Sequence, residues 1–327
     1  MIRAMARLGP PALLLLLVAA AACGGERGEG RREIRILHAA GLTPLLDAIR
    51  DDCARDLGLA IENEPSGSQV ACRKYAELGK PCDLLMLADP ELVATLLAGK
   101  ASFRIDFATD AMVLAVGARA PHVDQAEQDW PAVLLRDDVD LARADEDQTP
   151  TGYRTFLVWR LTEALAGGDL EARLRAKPAQ VVDHVTLLTP LLANGEADYA
   201  FVYRSICVAQ GIRHVELDPR VNLGDPARDY SGARVEIRVR GSGGDRSVTV
   251  VGAPIFWCLT VPDEHGLPDD TRRFVAYLLG RKTDVLREMG LVPLTPARLR
   301  GARGAPATER ALAAFGGLVR HEGGLAD

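Results

Sequence analysis

Between Ile34 and Ala98 the chain changes hydrophobic period five times, and this alternation limits its fold more than any other feature. Ile34 to Ala40 reads as a short strand, Thr43 to Leu57 as a helix, and Leu59 to Glu64 as a second strand of alternating polarity. Ser68 to Leu78 then reads as a helix, Asp83 to Ala88 as an apolar strand, and Pro90 to Ala98 as another helix. Such β-α-β-α-β-α order predicts an α/β fold built on an open parallel sheet, whose ligands sit at the carboxyl ends of its strands. Two glycine-bearing loops, Ala40-Gly41-Leu42-Thr43 and Ser66-Gly67-Ser68, each follow a strand and precede a helix. They belong on the same edge of the sheet. Small hydroxyl residues and uncovered N–H groups at a helix start form a cradle for oxyanions, although Ser-Gly-Ser before a helix also serves as an ordinary cap.

The chain has 327 residues, more than one compact core usually holds, so two lobes are expected. Phe107 to Val116 reads as an apolar strand carrying the chain into a second lobe, where Arg154 to Leu165 and Val181 to Leu192 have helical spacing. Ala200 to Tyr203 reads as a short strand leading back. The expected division is residues 33–107 and 204–300 in the first lobe and 108–203 in the second, joined by a hinge of crossing strands. Val248 to Val261 reads as a late strand pair around Gly252 and Pro254, and Thr271 to Met289 as a helix over the first lobe. The tail, residues 301–327, holds an amphipathic helical pattern from Ala307 to Val319.

Residues 1–22 read as an export signal: Arg3 and Arg7 form a basic start, Leu13 to Val18 an apolar core, and Ala19 to Ala22 a small-residue end. The apolar run is shorter than the roughly 20 residues that cross a bilayer. Cys23 with Gly24-Gly25 then resembles the lipobox of bacterial lipoproteins, which implies a thiol carrying lipid and a chain tethered to a membrane. Simple secretion after Ala-x-Ala cleavage is the alternative. Residues 23–32, rich in Gly, Arg and Glu, read as a flexible linker. Either way the mature protein is exported, lipid-anchored to the cell membrane or facing the periplasm.

The net charge of −6, without a basic patch interleaved with aromatics, argues against nucleic acid as a partner. Cys53, Cys72, Cys82, Cys207 and Cys258 form no Cys-x-x-Cys and no metal-like pairing; one disulfide could form, with Cys72 and Cys82 nearest in sequence. The histidines form no His-Glu-x-x-His, and there is no Gly-x-Ser-x-Gly. Nothing announces catalysis, a resident metal or a cofactor. His38, at the end of a buried strand, reads as a hydrogen-bonded core residue, and His184 lies near a plausible pocket. Gln148-Thr149-Pro150-Thr151 before Gly152-Tyr153-Arg154 is a turn and helix start in the second lobe that mirrors the first-lobe loops. Two such faces closing on one cleft enclose a small anion.

The run Gly67 to Gly79 followed by Cys82 to Asp89 resembles the tungstate/molybdate-binding lipoproteins of ABC transporters, the WtpA branch of the ModA-like solute-binding proteins. His38 to Thr43, Pro150 to Thr155, Gly195 to Tyr203, Val215 to Gly224, and Gly252 to Pro262 follow in the family's order, so the likeness spans roughly Ile34 to Pro296. It implies a two-lobed periplasmic-binding-protein type II fold and a monomer that carries a small oxyanion to an ABC permease. Residue by residue, Ser68 matches the second-loop serine and Tyr203 the hinge tyrosine. The first-loop serine is replaced by Gly41, so Thr43 or bare N–H groups must serve. Thr149, with Thr151 in the same turn, and Val185 stand where the branch has an aspartate and a glutamate able to reach the metal centre of the oxyanion. Their loss argues for a tetrahedral anion held by hydrogen bonds, molybdate or tungstate, with sulfate left open. A binding protein that has become a sensor for another anion, a secreted hydrolase using Ser68, and a purely structural lipoprotein are the rival readings.

Overall fold

The computed structural model describes residues 32–239 and 244–325; the signal segment, Cys23 and the linker up to residue 31 lie outside them. In chain order the first part comprises β1 (Arg32–Ala39), α1 (Thr43–Leu57), β2 (Leu59–Ser66), α2 (Ser68–Ala76), β3 (Leu84–Leu87), α3 (Glu91–Thr95) and β4 (Phe103–Asp110). The alternation is physical. In α1, Leu45, Leu46, Ile49 and Cys53 form the buried face, and the helix stops at Gly58, whose φ of 66° suits a left-handed cap. The strand β3 is buried along its whole length, as a central strand covered on both faces must be. Both β2 and β3 run parallel to β1, so the loops after all three strands emerge at one edge.

The second part comprises β5 (Met112–Val116), α4 (Val123–Leu134), β6 (Leu141–Ala144), α5 (Pro150–Ala166), α6 (Leu170–Ala176), β7 (Ala179–Val182), α7 (Leu188–Asn194), β8 (Tyr199–Tyr203), α8 (Arg204–Gln210) and β9 (His214–Glu216). A hairpin, β10 (Arg234–Val239) and β11 (Arg246–Val251), precedes β12 (Ile255–Thr260), α9 (Asp269–Arg281), α10 (Thr283–Glu288), β13 (Val292–Gly301), α11 (Pro306–Ala314) and β14 (Val319–His321). Two main sheets result. One has the order β14-β13-β4-β12-β3-β1-β2 and the other β7-β6-β8-β5-β9, giving the two-lobed architecture.

Several sequence expectations change. The single strand from Phe107 to Val116 is broken at Ala111, with β4 in the first sheet and β5 in the second. The buried Asp110 carboxylate makes the break by accepting from the N–H of Ala111 at 2.8 Å and of Ser205 at 3.3 Å, and from Trp257 Nε1 at 3.1 Å. After β8 the chain stays with the second sheet, because β9 pairs with β5 beyond the boundary drawn at residue 203. The hairpin β10–β11 also packs on α5, with Arg160 donating to the Arg234 carbonyl, so the chain rejoins the first sheet only at β12, where Ile255 N–H donates to the Leu223 carbonyl at 2.8 Å.

Val181 to Leu192 is not one helix. A helix through it would need a Pro190 N–H, so α7 begins only at Leu188; Val181 and Val182 pair with β6 in β7, and Val185–Leu187 form a 3-10 turn. The strands on either side of Gly252 do not pair with each other: β11 joins β10, while the buried β12 enters the first sheet between β3 and β4. Lys282 at φ −114°, ψ 15° splits the expected helix from Thr271 to Met289. In the tail the helix ends at Ala314 and Val319–His321 adds a strand to the first sheet. All five described cysteines are buried free thiols, Cys72 and Cys82 among them, and burial pushes the Cys82 thiol up to about 12.

Candidate binding site

At the edge where β1, β2 and β3 end, the first sheet meets the start of α5 and encloses a cavity of about 10 Å³. That is the room one water-sized sphere needs. Gly41, Ser68, Thr149, Thr151, Val185 and Tyr203 all line it, so six sequence-selected positions from both lobes converge. Thr43 does not: the short 3-10 turn Ala40–Leu42 leaves it half-buried at the start of α1, outside the lining. His184 lines the cavity too, with Nδ1 2.7 Å from the Thr186 hydroxyl. His38 is a fully buried core residue, its Nδ1 2.8 Å from the Ala39 carbonyl and its Nε2 3.2 Å from Asn63 Nδ2. Burial pushes its pKa down.

On the first-lobe side α2 starts at Gly67 without a side-chain cap. The opening N–H groups of a helix have no partner within it, and they carry its positive dipole end. Ser68 does not cap. Its Oγ accepts from Ala88 N–H at 3.1 Å, which fixes the side chain and leaves its proton to donate. The Ser66 hydroxyl is buried and has no hydrogen-bond partner. Carboxylates are absent from the residues lining the cavity.

The second-lobe side is built differently. Thr149 caps α5 by accepting from Gly152 N–H at 3.0 Å, and its own hydroxyl donates to the Asp145 carbonyl at 3.3 Å. Tyr203 Oη accepts from Arg154 Nη1 at 2.7 Å. Arg154 Nη1 also donates to the Ala88 carbonyl at 2.7 Å, so the guanidinium spans from α5 to the end of β3. Burial works against the charge on Arg154, yet the oxygens of Tyr203, Tyr153 and Asp89 outweigh it and hold the pKa above the ordinary arginine value. Tyr153 donates to the Asp89 carboxylate, a second link between the lobes. A third contact is steric: a Cβ at Gly67 would lie 2.4 Å from the Gln148 carbonyl oxygen.

Sequence reasoning put Ser66 in the second loop and Asp89 at the end of a matched run without giving either a role, and passed over Trp257 and the bridging role of Arg154. The Gly-Tyr-Arg turn carried a signal for the last, since a buried arginine needs acceptors. Trp257 had none, because only the folded chain brings β12 against the first loop.

These features define a two-lobed solute-binding protein, with a closed cleft between helix starts. The comparisons agree. Residues 34–291 match the model of the bacterial extracellular solute-binding protein family, and the chain belongs to that family. The molybdate/tungstate-binding protein WtpA of Pyrococcus abyssi is 26% identical over 304 residues, covering 83% of this chain and 87% of that protein. A candidate ABC-transporter molybdenum-binding protein of Haloferax volcanii is 34% identical over 240 residues, covering 72% and 74%. Among solved structures, the periplasmic molybdate-binding protein of Azotobacter vinelandii superposes with a TM-score of 0.56 at 18% identity, covering 79% of this chain and 98% of that one. Its likeness bears on the fold.

Proposed function

We propose that the protein captures a tetrahedral oxyanion, molybdate or tungstate, and delivers it to an ABC importer. The observation that carries this reading is the joining of an uncapped helix start, the Ser68 hydroxyl and the Tyr203 hydroxyl in one cavity whose lining holds no carboxylate. Donors alone suit an anion. A hydrogen bond to a charged group contributes about 1.5–3 kcal/mol, so a few of them offset the dehydration of a dianion without a cation in the wall. The names of the relatives point to the same class of ligand.

The mechanism is binding and closure, not chemistry. Links from Tyr153 to Asp89 and from Arg154 to Ala88 form only when the lobes meet, so an anion touching both sides shifts the population toward the closed form that a permease can recognise. Export and a lipid tether at Cys23 belong to the same reading, which places a monomeric carrier beside its permease. Calorimetry with molybdate, tungstate, sulfate and phosphate tests it: molybdate or tungstate should bind at micromolar concentrations or tighter. Binding of none of the four below the millimolar range would sink the proposal, and a clear preference for sulfate would reassign the ligand.

A further inference from the structure

At Gly41 the first-lobe side of the cavity carries no side chain, and one placed there would run into Trp257. An ideal Cβ at Gly41 would lie 2.8 Å from Trp257 Cη2. Trp257 cannot yield. It is fully buried, its Nε1 is bonded to Asp110, and its ring packs edge-on against Tyr203 with centroids 5.3 Å apart. The indole therefore occupies the volume of the missing side chain.

One strand away, Ser66 is the register partner of Ala39, the last residue before the first loop. Neighbouring strands lie about 4.8 Å apart, so a side chain at the end of β2 reaches the space beside that loop. Ser66 lines the cavity, is 8% exposed, and has a buried hydroxyl with no hydrogen-bond partner. A buried hydroxyl left unsatisfied is unfavourable, and such an orphan calls for a ligand or function to explain it.

We infer that Ser66 is an anion-binding residue that supplies, from β2, the hydroxyl that Trp257 bars from position 41. The inference rests on the oxyanion reading and adds to it a donor that the motif comparison does not assign. With Ser68 two residues on, the β2–α2 loop then offers two hydroxyls and the first N–H groups of α2 to one ligand.

Ser66→Ala separates a binding role from a structural one. Because no protein group in the structure pairs with the hydroxyl, its removal should leave the ligand-free melting temperature unchanged or slightly raised. Molybdate affinity by calorimetry should fall about 10- to 100-fold, the loss of one hydrogen bond to a charged partner. Affinity within twofold of wild type, or a marked drop in ligand-free melting temperature, overturns the inference while the wild type still binds. Wild-type protein that binds none of molybdate, tungstate, sulfate or phosphate overturns this inference and the oxyanion reading together.

Discussion

The two helix starts that face each other across the cavity, those of α2 and α5, look alike in sequence and differ in the use of their hydroxyls. Before α5, Thr149 is a working cap: its oxygen takes the Gly152 N–H and its proton goes to Asp145. Before α2 nothing caps. Ser68 accepts from Ala88, Ser66 bonds to nothing, and both keep a proton to give. On the proposed reading, the first-lobe side holds the anion and the second closes over it. Tyr203 adds another hydroxyl to the second side of the lining, its oxygen accepting from Arg154.

The largest break in that division is expected from Arg154→Met. Arg154 is the cation behind both sides, bonded to Ala88 from the first and to Tyr203 from the second. Its removal leaves Asp89 less compensated and two acceptors unpaired, and breaking a buried charged network costs about 3–5 kcal/mol. Thermal unfolding should shift down strongly, and molybdate binding by the surviving folded protein should weaken by more than tenfold. A melting temperature within about 2 °C of wild type, with affinity unchanged, would show that the two sides are held together elsewhere.

Gly67→Ala should act on closure with little effect on the lobes. Gly67 has φ −64° and ψ 147°, a conformation alanine adopts freely, so the first lobe gains no backbone strain. The methyl group meets the second lobe instead, 2.4 Å from Gln148 O, and a carbonyl of the main chain cannot step aside. Affinity should drop roughly 100-fold through loss of the closed population, while the ligand-free melting temperature moves little. Small-angle scattering with saturating molybdate should show no compaction. Compaction equal to wild type would mean that the lobes tolerate the methyl and that the contact is not a closure point.

How far the sequence discloses this division depends on the range of the interaction. The β-α-β order, the placing of α1, and the gathering of Ser68, Thr149, Thr151, Val185 and Tyr203 at one cavity are legible because period, glycine loops and motif order are local. The break at Ala111 is not, since an apolar run through Phe107 to Val116 has one period, and besides the neighbouring Ala111 N–H the groups that hold Asp110 at the crossing, Ser205 and Trp257, lie 95 and 147 residues away. Nor does the hydropathy pattern separate β11 from β12, whose partners are set by the whole sheet. The different fates of Ser68 and Thr149 are equally hidden: both are hydroxyls at helix starts, and the deciding acceptor and donor, Asp145 O and Ala88 N–H, come from the loop before one helix and from another strand's end.

The smallest expected effect, Thr149→Ala, sharpens the contrast most directly. Its hydroxyl would have to release Asp145 to donate to an anion, so its main contribution is to the start of α5. Loss of a threonine cap costs about 1 kcal/mol, which should lower the melting temperature by a few degrees and molybdate affinity by only severalfold, through a less ordered second side. Ser68→Ala is the matched comparison: it removes a donor to the ligand and the partner of Ala88 N–H together, and its affinity loss should be the larger of the two. If Thr149→Ala weakens binding as much as Ser68→Ala without the drop in stability, the Thr149 hydroxyl turns toward the anion on closure and the two sides hold it jointly.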